Sequence, residues 1–205
     1  MAQPAPILAA AAELLPQQIT YQRQTAAQVV MQLLRQRGGN LQGKIIVRDL
    51  QFSDLLSGTV RGTNSATVST TYVGLIANVT LPVNQAVAVF GIVLYDGTPT
   101  IDALKFQLGG AQTMAWVNLG PIQGDNRLAK GYFEPCYWGP QEIIQIQAVS
   151  STSQTAGNIN FDLIGLIAEP VGLNVAPRED LDSLVAAVKQ AGGIMGPVPV
   201  PIGIQ

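Results

Sequence analysis

Ile144-Gln145-Ile146-Gln147-Ala148 alternates strictly between an apolar and an amide side chain. Successive side chains of a strand point to opposite faces, so this stretch has one dry face and one face of neutral amides, as in an antiparallel strand packed on one side. Upstream, Ala86-Val87-Ala88-Val89-Phe90-Gly91-Ile92-Val93-Leu94-Tyr95 is almost unbroken apolar, and Asn160-Phe161-Asp162-Leu163-Ile164-Gly165-Leu166-Ile167 is drier than the alternating stretch and reads as a more central strand. Further strands read at 44–52, 67–81, 101–108, 113–119, 128–133, 142–150 and 159–168, and Asp96-Gly97 is a hairpin signal that Thr98-Pro99 lengthens. No helical period separates these runs. The pattern is that of a mainly β protein: an antiparallel β-sandwich, specifically a single jelly roll of about 8–9 strands. An immunoglobulin-like sandwich is the nearest competitor, but the chain has one cysteine and so no inter-sheet pair.

Two zones flank this body, residues 1–43 and 171–205, with the β domain at 44–170. In the first, Ala26, Val29, Val30, Leu33 and Leu34 form an amphipathic stripe, with Thr20 or Thr25 as cap, Arg35 and Arg37 in the last turn and Gly38-Gly39 as the stop; an extended arm precedes it. That helix either packs on its own domain or binds a partner. In the last zone, Pro177, Glu179 and Asp180 open a short helix carrying Leu181, Leu184, Val185 and Val188, and Gly192-Gly193 ends it. The tail Pro197-Val198-Pro199-Val200-Pro201-Ile202-Gly203-Ile204 lacks an N–H at every second position, so it reads as an extended arm lying in a groove of a neighbouring subunit.

Only 12% of the 205 residues are charged, about half the usual share of ~25%, while glutamine makes up roughly a tenth. With 11 basic and 13 acidic side chains the net charge is −2, which leaves no excess to hold a polyanion, so no sequence-specific nucleic-acid partner is expected. Neutral amides and hydroxyls are covered by another protein at lower desolvation cost than charges, and the surface reads as one that expects neighbours. No run reaches the ~18–20 apolar residues of a membrane span. The apolar stretch at 6–15 has no preceding positive charge and is interrupted by Glu13, so a cleaved leader is not expected and folding in a reducing cytoplasm is.

The chain has no histidine. His-based triads and most zinc sites are thereby excluded, and no phosphate-binding glycine motif, nucleophile elbow or metal-ligand spacing occurs. Asp96, Asp102, Asp125, Glu134 and Glu142 are the candidates in the β zone for a glycosidase-type carboxylate pair, but most lie at turns and strand edges where capping or solvation is the ordinary role. Neither a catalytic residue nor a cofactor or metal is expected, and Cys136 reads as a small buried apolar side chain. Tyr132, Phe133, Tyr137 and Trp138 crowd around Glu134-Pro135-Cys136, with Trp116 nearby in sequence. They can plug a core corner, anchor an interface, or stack sugar rings.

The arm and helix, the Thr/Val/Gln-rich sandwich, the absent histidine and the apolar Pro-spaced tail together resemble bacteriophage virion structural proteins, in particular capsid cement or decoration proteins and small single-jelly-roll capsid proteins. The resemblance implies a non-enzymatic homo-oligomer, a trimer first of all, made in the host cytoplasm and ending in the virion, with major capsid or other virion proteins as partners. The expected interface set is Val29, Val30, Leu33, Leu34, Tyr137, Trp138, Leu184, Val188, Val198, Val200, Ile202 and Ile204. The alternative is a carbohydrate- or receptor-binding β-sandwich, as in a viral adhesin, using Trp116, Tyr132, Tyr137 or Trp138.

Overall fold

The structure is a computed structural model that describes residues 6–38, 44–95, 101–109, 112–122 and 129–171. The expected C-terminal helix and tail, and with them Leu184, Val188, Val198, Val200, Ile202 and Ile204, lie outside the described residues, as do Asp96 and Asp125. In chain order the elements are β1 (Ile7–Ala10), α1 (Pro16–Arg37), β2 (Ile45–Asp49), α2 (Phe52–Leu55), β3 (Gly62–Thr63), β4 (Val73–Thr80), β5 (Ala86–Leu94), β6 (Ala103–Leu108), β7 (Gln112–Asn118), a 3-10 turn (Gly120–Ile122), β8 (Ala129–Trp138), β9 (Ile143–Val149) and β10 (Asn160–Pro170).

These strands form two five-stranded sheets: sheet I in the order β1-β7-β6-β9-β4, and sheet II in the order β2-β10-β5-β8 with the short β3 on the start of β10. The pairing is nested: β2 with β10, β4 with β9, β5 with β8 and β6 with β7, all antiparallel. Only β1, which lies parallel on β7, departs from the antiparallel rule among the described residues.

The alternation read at 144–148 sets the faces of β9. Ile144, Ile146 and Ala148 are buried between the sheets while Gln145 and Gln147 face outward, half-buried. β5 is apolar throughout because both its faces are covered. Val87, Val89, Ile92 and Leu94 join the core between the sheets, and Ala86, Ala88 and Phe90 meet α1 on the other side. The change of parity is made at Phe90, which both neighbours skip: Val89 and Gly91 pair with Gly165 and Ile164 on one side and with Cys136 and Tyr132 on the other. One extra residue flips every later side chain to the opposite face, which is how Ile92 and Leu94 stay inside.

Helix α1 starts at Pro16, earlier than the expected caps at Thr20 or Thr25. Pro is preset for the first helical position, and the Gln18 side chain accepts the Leu15 N–H at 2.9 Å. The hydroxyls of Thr20 and Thr25 instead donate to the carbonyls of Pro16 and Tyr21 one turn back. The apolar stripe packs on the outer face of sheet II, where Ala26, Val30 and Leu34 are fully buried against Ala86, Ala88, Phe90, Leu166 and Ala168. The three alanines in that surface let the helix axis come close. An Arg23–Asp49 ion pair at 2.5 Å, an Arg37–Glu142 ion pair and Gln22 fasten its sides.

Residues 7–12, read from sequence as an extended arm, join the two sheets. After β1, Ala11 N–H donates to Asn118 O at 2.8 Å, and Ala12 and Tyr132 bond each other's backbones, so the segment ties the β7 edge of sheet I to the β8 edge of sheet II. Phe52, expected as the end of a strand, starts the one-turn α2, whose Asp54 carboxylate accepts the Gln51 N–H at 2.8 Å.

Candidate interaction site beside the aromatic segment

β8 carries the aromatic segment, and its faces sort the side chains into two groups. Phe133 and Trp138 point into the core, where Phe106 lies 5.1 Å from Phe133 and 6.2 Å from Trp138 between ring centroids. The Trp138 indole N–H donates to Gln107 O at 3.1 Å, so its one polar atom is satisfied inside. Tyr132 is buried under α1. Phe133-Glu134-Pro135 then stands opposite the single residue Phe90, so β8 is bulged at the position where Pro135 removes a backbone donor. The bulge turns Glu134, Pro135 and Tyr137 outward toward the first two turns of α1.

Between them lies a groove of about 330 Å³ lined by Leu14, Tyr21, Gln22, Thr25, Glu134, Pro135 and Tyr137. Tyr21 is 73% exposed at its rim. Gln22 holds helix to strand by donating from Nε2 to Phe133 O at 2.6 Å, while its Oε1 is buried with no partner. Burial raises the Tyr137 hydroxyl above the ordinary phenol range, helped by the charge of Glu134 and by Cys136. The Cys136 thiol is pushed up to about 12, first by burial and then by Glu134, and so stays protonated and unreactive at neutral pH.

The structure places the expected interface residues unevenly. Val30, Leu34 and Trp138 are fully buried within the chain and keep no surface for a neighbour. The stripe of α1 found its second layer in sheet II, which the helical period alone does not reveal. Val29 and Leu33 are half-buried, Leu33 against the same cluster. Tyr137 is half-buried and lines the groove. Tyr21, a site residue that sequence reading missed, joins Tyr137 there; the signal for it was an aromatic one position off the apolar stripe of a helix that begins at Pro16.

The outer face of sheet I is different in kind. Register sets Leu8, Trp116, Lys105 and Gln147 side by side across β1, β7, β6 and β9. Leu8 is 85% exposed, and Lys105 Nζ lies 5.6 Å from the centroid of the exposed Tyr72 ring. In the adjoining row Gln107 faces Gln145, and the Oε1 atoms of both are buried without a partner.

The carboxylates hold structure. Asp102 accepts from Ser151 N–H, Glu142 accepts from Gly139 N–H at 2.6 Å and pairs with Arg37, and Glu134 stands exposed beside the groove. A cluster not read from sequence joins β2, α2 and β10. Arg48 grips Asp54 with two hydrogen bonds of 2.8 Å and Glu169 with a third of 2.8 Å. Burial raises the Asp54 carboxyl, but the Arg48 hydrogen bonds, the Gln51 N–H and the guanidinium charge outweigh it and hold the group below the usual carboxylate range. Among the described residues no group of three or more metal-ligating side chains comes together, and no helix is long and apolar enough to cross a membrane.

Comparison with protein-family models and with curated proteins finds no match for this chain.

Proposed function

We propose that this protein is a non-enzymatic, self-associating structural subunit with a single jelly-roll body, of the kind that builds or cements a viral shell. The observation that carries the reading is the nested pairing order: β2-β10-β5-β8 in one sheet and β4-β9-β6-β7 in the other is the order made by rolling one long hairpin into two Greek keys. Jelly rolls serve as capsid and lectin domains and as metal-dependent enzymes, and a chain with no histidine fits the first two uses better. A surface drawn from a sequence with 12% charged residues favours contact with copies and shell partners over life as a dispersed monomer. Residues 7–12 cover the β7 edge and meet β8 at Tyr132, which blunts the strand edges there and leaves the part of β8 after Tyr132 for contact with a neighbour.

The test is sedimentation velocity and electron microscopy of the full chain, alone and with a candidate shell protein. A discrete homo-oligomer, a trimer first of all, or incorporation into the shell is the expected result. A monomer at every concentration and with every shell partner overturns the reading.

A second reading is favoured by the outer face of sheet I, where Trp116 stands between Leu8 and Lys105 in one row, with Gln147 beyond Lys105 and Gln107 and Gln145 in the adjoining row: a platform for a saccharide. It moves the sugar site away from Trp138, which is fully buried, and loss of glycan binding in Trp116→Ala with unchanged assembly is its signature.

A further inference from the structure

The groove between α1 and β8 has the shape and chemistry of a seat for an extended peptide. Its walls are apolar or aromatic at Leu14, Tyr21, Pro135 and Tyr137, and Glu134 is the only charged side chain among its lining residues. It also runs along an open strand edge. On the side of β8 away from β5, pairing among the described residues stops at Tyr132, where Ala12 bonds it before the chain turns into α1. Gln22 adds a buried Oε1 acceptor that has no partner among the described residues. An unpaired buried acceptor is costly, and a hydrogen-bond donor brought to it relieves that cost.

The sequence holds a segment with matching properties. Residues 172–205 lie outside the described structure, and after Lys189 no side chain up to Gln205 is charged. Within that stretch Pro197, Pro199 and Pro201 alternate with Val198, Val200 and Ile202. In an extended chain successive N–H groups point to opposite sides, so every donor left at 198, 200 and 202 faces one side and the other side has none. As far as Ile202 such a segment offers donors along one edge alone, which disfavours pairing of a further strand on the other. Proline rings also stack well on tyrosine, the usual basis for reading extended proline-containing segments in aromatic grooves.

We infer that the groove formed by Tyr21, Gln22, Pro135 and Tyr137 receives residues 197–204 of a second copy of this chain. The inference rests on the reading of the protein as a self-associating subunit and names the contact through which copies interlock. Exchange between copies is a heterologous contact, which extends an assembly where a tail folded back on its own groove would end it.

The test is site-directed cross-linking of full-length chains. Tyr21→Cys chains are mixed with Val200→Cys chains under mild oxidation, with Leu8→Cys on the outer face of sheet I as the control partner; native Cys136 is buried and does not compete. The expected result is a disulfide-linked heterodimer from the Tyr21→Cys mixture, formed at least about ten-fold faster than from the Leu8→Cys mixture because docking raises the local thiol concentration. Equal rates from both mixtures overturn the inference, and so does the absence of any cross-link. Cross-linking confined to a doubly substituted Tyr21→Cys/Val200→Cys monomer overturns it in favour of the chain's own tail. If oligomers persist without the Tyr21 cross-link, the structural-subunit reading stands and this contact alone falls.

Discussion

Ala12 and Tyr132 exchange both backbone hydrogen bonds, each 2.9 Å long, on the side of the two sheets where β7 and this part of β8 would otherwise be bare edges. A segment of six residues, paired to sheet I by β1 and to sheet II at this one bridge, closes the body. Ala11 between them is fully buried, and a Cβ added at Gly131 would meet it at 3.0 Å, so the segment is packed as well as bonded.

Ala12→Pro removes the donor to Tyr132 while leaving the extended backbone intact. The expected loss is about 1–3 kcal/mol in urea unfolding, with the Tyr132 amide exchanging faster than the amides of β5. An unchanged unfolding midpoint would show that the closure contributes nothing to stability.

The two tryptophans separate by burial. Trp138→Ala opens a cavity beside Phe106 and removes the indole hydrogen bond to Gln107 O, and it is expected to destabilise by ~3–5 kcal/mol or to prevent folding. Trp116→Ala, on the outer face of sheet I, is expected to change stability by about 1 kcal/mol or less. Calorimetry of both variants, with a glycan-binding screen on Trp116→Ala, distinguishes core from platform.

Much of this architecture was legible because burial writes itself into period. Ile144 and Ile146 against Gln145 and Gln147 gave the two faces of β9, and the dry 160–167 stretch read as the central strand that β10 is, paired on both sides. Local pattern does not encode partners. Ile7–Ala10 has no alternation, and its parallel place on β7 is decided by tertiary pairing. The stripe of Val30 and Leu34 was visible, yet the same residues suit a foreign partner as well as sheet II, and only the small side chains of Ala86, Ala88 and Ala168 on two distant strands decide it. Tyr137 was legible as an aromatic held out of a regular strand by Pro135. Tyr21 was not, since its exposure depends on where α1 begins, and Pro16 with Gln18 set that start in place of a threonine.

The Arg48 cluster predicts the acid limb of stability. Asp54 titrates below its unfolded value, so the folded state gains from its ionised form. That contribution is complete above the unfolded pKa of about 4 and is lost as pH falls through the depressed folded value. Asp54→Asn is expected to lower stability at pH 7 by about 1–3 kcal/mol, since Arg48 keeps only Glu169 as an ion-pair partner among the described residues, and to flatten the decline below pH ~4. Urea midpoints measured from neutral pH into acid for both proteins check both effects, and parallel curves would remove Asp54 from the account.

Cys136 predicts the alkaline limb with the opposite sign. Its thiol is pushed up to about 12 in the fold, where an unfolded cysteine ionises near 8.5, so the folded state holds its proton over a range in which the unfolded state gives it up. The contribution is fully present below about pH 8.5 and is lost as pH rises from there toward the folded value. Tyr137 is raised as well and adds a similar loss above about pH 10, so the window from about 8.5 to 9.5 isolates the thiol. Across it the wild-type chain is expected to lose stability with a slope approaching ~1.4 kcal/mol per pH unit, and Cys136→Ala is expected to be flat there, offset by a small packing loss. A thiol reagent at pH 8 should label the folded chain only at the rate at which β8 opens, because the side chain is 4% exposed and uncharged. Rapid labelling of the native protein, or a slope that survives in Cys136→Ala, would mean that the thiol is solvated and that β8 is not the packed edge that the groove beside α1 requires.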